Sequence, residues 1–212
     1  MLTSSSLRVQ YGSGWSDPAG WLNYDSSPTL RLERFPLFGR FVSKNSQRFP
    51  AGVIYGDIVK GLPLSSGTVS LLYCSHVLEH LALNDFHTAL AESFRILAPG
   101  GTFRFVLPDL ETLINDYRAS DDCDAANRFM ENTMLGIHSR SRGLRAVICN
   151  SLGGSKHLWM WDYKAMKKEL QLAGFVDVRR AVFGDSKEQG FAGVESEDRW
   201  LQALGVECCK KV

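Results

Sequence analysis

No stretch of this chain is apolar for long enough to cross a membrane: a helical span needs about 20 residues, and the longest apolar runs fall far short. The first residues, MLTSSSLRVQYG, lack the apolar core of a secretory leader and run directly into a strand-like segment, so a cytoplasmic location is expected. Cysteine is scarce and scattered, five in all with only Cys208 and Cys209 adjacent. That excludes a disulfide framework and points to reduced thiols. No charge of one sign dominates. With 24 Lys and Arg against 23 Asp and Glu, no global field draws a nucleic acid or an anionic membrane. Repeats and low-complexity segments are missing as well, which leaves one globular domain over residues 1–212, long enough to bury a full core.

What is present concentrates between residues 55 and 109. TVSLLYC at 68–74 is a short apolar, β-branched and aromatic run, the mark of a strand buried on both faces. Residues 84–97 follow, with Phe86, Leu90, Phe94 and Leu97 on one helical face. Asn84 reads as the N-cap, and Pro99-Gly100-Gly101 stops the helix. TFRFVL at 102–107 is a second buried strand, ended by Pro108. Strand, helix and strand make a βαβ unit, with parallel strands and a right-handed crossover. Ligands of such sheets sit at the carboxyl ends of the strands, which puts Ser75, His76, Glu79, His80 and Asp109 at the mouth of a site.

Upstream, LRVQY at 7–11 is a short strand followed by Gly12-Ser13-Gly14. Glycines there let a ligand approach the backbone, although the same pair occurs in plain turns. Ser16 stands where the longer dinucleotide fingerprint has its third glycine, which disfavours an NAD(P)-binding enzyme. After the turn Asp17-Pro18-Ala19-Gly20, residues 21–24 read as a brief strand ending at Asp25. Only ten residues separate Gly14 from Asp25, too few for a helical crossover of about a dozen or more. Residues 26–50 are basic, with Arg31, Arg34, Arg40, Lys44 and Arg48 against Glu33. They read as a solvated connection with one short helix, or as a flap or patch for an acidic substrate. Residues 53–55 form a third strand that ends at Gly56-Asp57, where the carboxylate caps a turn or meets a ligand.

The series GD…LP…TVSLLYCSHVLEHL…ESFRILAPGGTFRFVLPDL resembles the second half of a class I S-adenosylmethionine (SAM) dependent methyltransferase. The resemblance runs with gaps from residue 7 to 183 and is most specific at 55–108. YGSGWSDPAGWLNYD is similar to a compact, type 11-like variant with a shortened first crossover. The resemblance implies an α/β fold: a Rossmann-like sheet, mostly parallel, with an antiparallel strand near the C-terminus and helices on both faces. It implies SAM as cofactor, held by Gly12 and Gly14, by Asp25 at the ribose, and by Asp57 and Ile58 at the adenine. Ser75 and His76 complete that set. A carboxylate suits a diol because it can accept from both hydroxyls. The missing helix would remove an N-terminus that helps hold the cofactor's carboxylate. The implied activity is methyl transfer to an O or N of a small molecule or glycan, with His80 or His157 as base and Asp109 orienting a hydroxyl. No nucleic acid, membrane span or resident metal is expected on this reading.

Two other readings stand beside it. His76-x-x-Glu79-His80 fits the H-x-x-E-H of inverted zinc metalloproteases, and on a helix both histidines would share one face. A zinc hydrolase also needs a third ligand on a downstream helix, and no stretch singles one out. His80 is otherwise a structural histidine bonding a backbone carbonyl, or a group facing the substrate. The second reading is a non-catalytic SAM-fold binding protein, which the shortened connection favours. Residues 109–158 turn from acidic and helical to basic, with His138, Arg140, Arg142 and Arg145. The resemblance makes this insertion a helical cap over the substrate; the bland alternative is a hairpin with a charged face. A helix at 163–173 and a strand at 175–183 follow. A last antiparallel strand is expected at 191–195, with a helical, peripheral tail.

Overall fold

Seven strands, β1 (Leu7–Tyr11), β2 (Leu22–Asp25), β3 (Val53–Tyr55), β4 (Val69–Ser75), β5 (Leu97–Pro108), β6 (Val176–Ala181) and β7 (Ala203–Cys209), form one sheet. The structure is a computed structural model that describes residues 7–35, 48–137 and 156–212. Arg40, Lys44, His138, Arg140, Arg142 and Arg145 lie outside the described residues. The strand order is β3-β2-β1-β4-β5-β7-β6. The first five pair in parallel, and β7 runs antiparallel to both β5 and β6. The α-helices among the described residues are α1 (Pro28–Glu33), α2 (Leu83–Ile96), α3 (Leu110–Ala119), α4 (Ala125–Asn132) and α5 (Tyr163–Leu172). None of them is long and apolar enough to cross a membrane.

One face of the sheet is covered in the usual way. Val9, Tyr11, Leu72, Cys74, Phe103 and Phe105 meet Phe86 and Leu90 of α2 and Met166 and Leu170 of α5 in one continuous core. The buried face of α2 is Phe86, Ala89, Leu90, Ser93 and Ile96; of the expected Phe86, Leu90, Phe94 and Leu97, Phe94 is half-buried and Leu97 is the first residue of β5. Its first residue is Leu83, and Ala82 occupies the cap position without a side-chain bond, so Asn84 is not the N-cap. Pro99-Gly100-Gly101 lies within β5 as an irregularity, between the pairs Val69 with Leu97 and Leu71 with Thr102.

The other face is built differently. β1 and β2 pair in parallel, Val9 opposite Leu22, across a connection with no helix. The chain moves from β1 to β2 in one direction across the sheet and from β4 to β5 in the other. With right-handed crossovers, α2 and a helix between β1 and β2 would lie on opposite faces. The deleted helix therefore belongs to the face carrying Leu71, Tyr73 and Val106. There Trp21 packs with Phe191, Val194 and Trp200, which come from the link between β6 and β7. This link contains only two short 3-10 turns, Gln189–Gly193 and Glu197–Trp200. It fills the place of the missing helix.

Arg104 of β5 fastens that link. Its side chain is fully buried; Nε donates to Glu195 Oε1 at 2.5 Å, and Nη1 donates to Asp185 Oδ1 at 2.9 Å and Glu207 Oε2 at 3.0 Å. Nη2 donates to the Val182 carbonyl at 2.7 Å, and the guanidinium carbon lies 4.5 Å from the Trp200 ring centre. Burial alone would lower its pKa, but Glu195 first, then Asp185 and Glu207, outweigh it, and the group is held more firmly charged than usual.

The C-terminal expectation is corrected. The last strand is Ala203–Cys209, not 191–195, and the tail is neither helical nor peripheral. Phe191 instead anchors a 3-10 turn in the second core. β7 alternates: Leu204, Val206 and Cys208 enter the main core, while Glu207 turns to Arg104 and Arg179 on the other face. Gly205 faces that side too, where a Cβ would stand 2.2 Å from the Trp200 ring. Cys74, Cys123, Cys208 and Cys209 are all free thiols.

Candidate active site

The carboxyl edge of the sheet carries the glycine turn. Gly12 and Gly14 have φ of 65° and 54°, a region that side chains with a Cβ resist. A Cβ on Gly12 would also lie 2.1 Å from Val77 Cγ2, so the turn rests directly on the chain leaving β4. Asp25 organises it from β2: Oδ2 accepts from Gly14 N–H and Oδ1 from Ser27 N–H, both at 2.8 Å. An ionised carboxylate has about four acceptor sites, so each oxygen keeps room for a second donor.

Beside this turn, at the ends of β1 and β4, lies a cavity of about 350 Å³ lined by Gly12, Gly14, Trp15, Ser75, Asp198 and Arg199 among others. Asp198 and Arg199 come from the link that replaces the helix. Arg199 Nε donates to Ser75 Oγ at 3.3 Å, and His76 Nε2 donates to the Arg199 carbonyl at 2.9 Å. Sequence reasoning missed Arg199. Its one visible signal is its place beside Trp200.

The strand order sets Asp57, Asp25, the glycine turn and Ser75 in a row along one edge. Asp57 Oδ1 accepts from Val59 N–H at 3.0 Å, and Oδ2 meets Lys60 at 3.0 Å. Ile58 lies in the main core at 5% exposure. The cavity brings together Gly12, Gly14 and Ser75; His76, Asp25, Asp57 and Ile58 do not line it.

The residues after β4 do not form an α-helix. His76 takes a left-handed φ of 53°, and Leu78–His80 is a single 3-10 turn. His76 and His80 therefore do not share a helical face, and the metalloprotease geometry is not formed. The Glu79 carbonyl accepts from Leu158 N–H at 2.7 Å and Trp159 N–H at 3.2 Å, which docks the segment entering α5. That docking carries His157 to His80, ring centres 5.0 Å apart, and to Glu79, with Nε2 3.9 Å from Oε1. His80 Nδ1 donates to the Lys156 carbonyl at 2.9 Å, the structural-histidine bond. Burial lowers the His157 pKa, with His80 and His76 adding to it and Glu79 opposing. Asp109 is committed elsewhere. It caps α3, where Oδ1 accepts from Glu111 N–H at 2.9 Å, and Oδ2 pairs with Arg180 at 3.2 Å.

The family described as "Methyltransferase domain" matches residues 9–105, from β1 into β5 and just under half of the chain. The sheet order, with its antiparallel seventh strand, agrees with it. This chain has the class I methyltransferase fold. The methyltransferase-fold chain is similar to a SAM-dependent methyltransferase of Archaeoglobus fulgidus at 15% identity and a TM-score of 0.53, covering 98% of this chain and 87% of that one. It is also similar to a structure of the Haloferax volcanii Trm112 methyltransferase activator in complex with a methyltransferase, at 16% identity and a TM-score of 0.53, covering 98% and 83%. At these identities the likeness is one of fold. A protein of Saccharomyces cerevisiae, uncharacterized protein YBR225W, is 26% identical over 195 residues. The match takes in 82% of this chain and 21% of the yeast protein, so the chain spans about a fifth of that relative's length.

Proposed function

We propose that this chain transfers a methyl group from SAM to an oxygen or nitrogen of a small molecule or glycan. One observation carries the reading: the cavity at the ends of β1 and β4, beneath a glycine turn that Asp25 holds in place. Gly12 and Gly14 would meet the amino-acid part of the cofactor, Asp25 the ribose and Asp57 the adenine. When bound, SAM supplies an electrophilic methyl on a sulfonium. The chain's own task is then to hold the acceptor in line with it and exclude water. His157, kept neutral by burial, can take the proton that a hydroxyl or ammonium acceptor releases, with Glu79 beside it to balance the imidazolium. The acceptor would lie under a cap that includes α3 and α4.

The test is calorimetric titration with SAM and with its demethylated product, S-adenosylhomocysteine. Micromolar binding of either is expected, and Asp57→Ala should weaken it about tenfold, equal to about 1.4 kcal/mol. Unchanged affinity would sink the adenine assignment. A non-catalytic SAM-fold role is favoured by one feature, the missing helix between β1 and β2. Absence of binding of either ligand would select it.

A further inference from the structure

We propose that Glu79, His80 and His157 form a binding site for one divalent transition-metal ion. Glu79 is fully buried, and neither of its carboxylate oxygens has a hydrogen-bond partner. One ligand atom from each of Glu79, His80 and His157 can be chosen so that all lie within 4.8 Å of one another. An ionised carboxylate without donors inside a protein is strongly disfavoured unless a cation meets it.

The imidazoles around it are arranged as acceptors. The Lys156 carbonyl can only accept, so His80 Nδ1 carries the proton of its 2.9 Å bond, and neutral His80 keeps its lone pair on Nε2. A backbone carbonyl that fixes a histidine tautomer in this way is the usual second contact of a metal-bound imidazole. The same logic applies to His76. Its Nε2 donates to the Arg199 carbonyl, which in the neutral ring leaves Nδ1 bare at 3.2 Å from Glu79 Oε1, without hydrogen-bond geometry. Lone pairs thus converge on a buried carboxylate, and a metal ion resolves the conflict. His76 stands beside the site and is not one of its three ligands.

Two imidazole nitrogens and one carboxylate oxygen suit Zn²⁺, Co²⁺, Fe²⁺ or Mn²⁺, and not the all-oxygen preference of Ca²⁺ or Mg²⁺. Three protein ligands leave a position open for an outside oxygen. His76 links this site to Arg199 at the cavity wall, and an acceptor hydroxyl that reached the open position on the ion would lose its proton more readily. That last role rests on the methyl-transfer reading and would replace His157 as proton acceptor in the metal-loaded chain; the metal site itself does not rest on that reading.

The full chain, stripped with a chelator, is titrated with Co²⁺ and with Zn²⁺ by calorimetry and visible absorption. The expected result is one ion per chain, cobalt d–d bands, and a higher melting temperature with Zn²⁺. Glu79→Gln and His157→Ala should each abolish stoichiometric binding while S-adenosylhomocysteine binding confirms that they fold. Absence of saturable binding to the wild type, or equal binding by both variants, overturns the proposal. Should the variants not fold, proton NMR of the cobalt-loaded wild type decides: two shifted imidazole N–H resonances support the site, and none overturns it. Loss of S-adenosylhomocysteine binding alone would sink the methyltransferase reading and leave the metal result intact.

Discussion

The two faces of this sheet solve the same burial problem by different means. On one face, α2 and α5 lay apolar side chains over Leu72, Phe103 and Phe105, and backbone bonds inside each helix satisfy their polar groups. On the other, the helix between β1 and β2 is missing, and an irregular link takes its place. An irregular segment has no ladder of its own, so side chains must fasten it point by point. Arg104 does so with hydrogen bonds to three of its residues, Val182, Asp185 and Glu195, that a helix would not need. The substitution has a functional consequence: the link that covers this face also delivers Asp198 and Arg199 to the cavity.

Arg104→Met should separate the faces most sharply. It leaves Glu195, only 1% exposed, without its counter-charge, and breaking a buried pair from one side costs about 3–5 kcal/mol. Next is Gly205→Ala. The new Cβ would meet the Trp200 ring at 2.2 Å and the Ala181 carbonyl at 2.4 Å, and overpacking of this kind costs about 1–3 kcal/mol. On the helical face Leu72→Met, a volume-conserving change at a fully buried site, should cost less than about 1.5 kcal/mol. Urea denaturation measures all three. Equal losses for Arg104→Met and Leu72→Met would break the comparison.

Most of the helical face is legible in the chain. The spacing of Phe86 and Leu90 and the apolar run 102–107 are local signals, and a helix and a strand form there, although β5 begins at Leu97 and takes in Pro99-Gly100-Gly101. The other face is not. Arg104 reads as one polar residue in an apolar run, and its partners lie in segments far along the chain. β7 does not read as a strand, since Gly205 and Glu207 interrupt its apolar run. Both residues make sense only once Trp200, Arg104 and Arg179 stand opposite them. The site divides in the same way. Gly12, Gly14 and Asp25 are visible as a local turn, whereas the meeting of Glu79, His80 and His157 depends on the docking of residues 157–159.

The smallest effect, and the finest test of the comparison, is in acid. Burial alone would raise the Asp185 carboxyl; the Arg179 hydrogen bond, the Val182 backbone and Arg104 outweigh it and hold its pKa low. A folded pKa below the unfolded value of about 3.9 means the unfolded chain binds the proton first. Asp185 therefore contributes its full stability above about pH 3.9, and that contribution is lost as pH falls through the folded pKa. The loss is small because its side chain is 29% exposed and solvent screens the pair. Glu195 and Glu207 face the same two guanidiniums, so the slope belongs to the group and Asp185 supplies one part. Asp185→Asn should lower the melting temperature at neutral pH, and its gap to the wild type should close on the acid side of about pH 3.9. Leu72→Met, an apolar change in the main core, should keep a constant gap across the same range. A constant gap for Asp185→Asn would mean that the link is held by its aromatic anchors and not by charge.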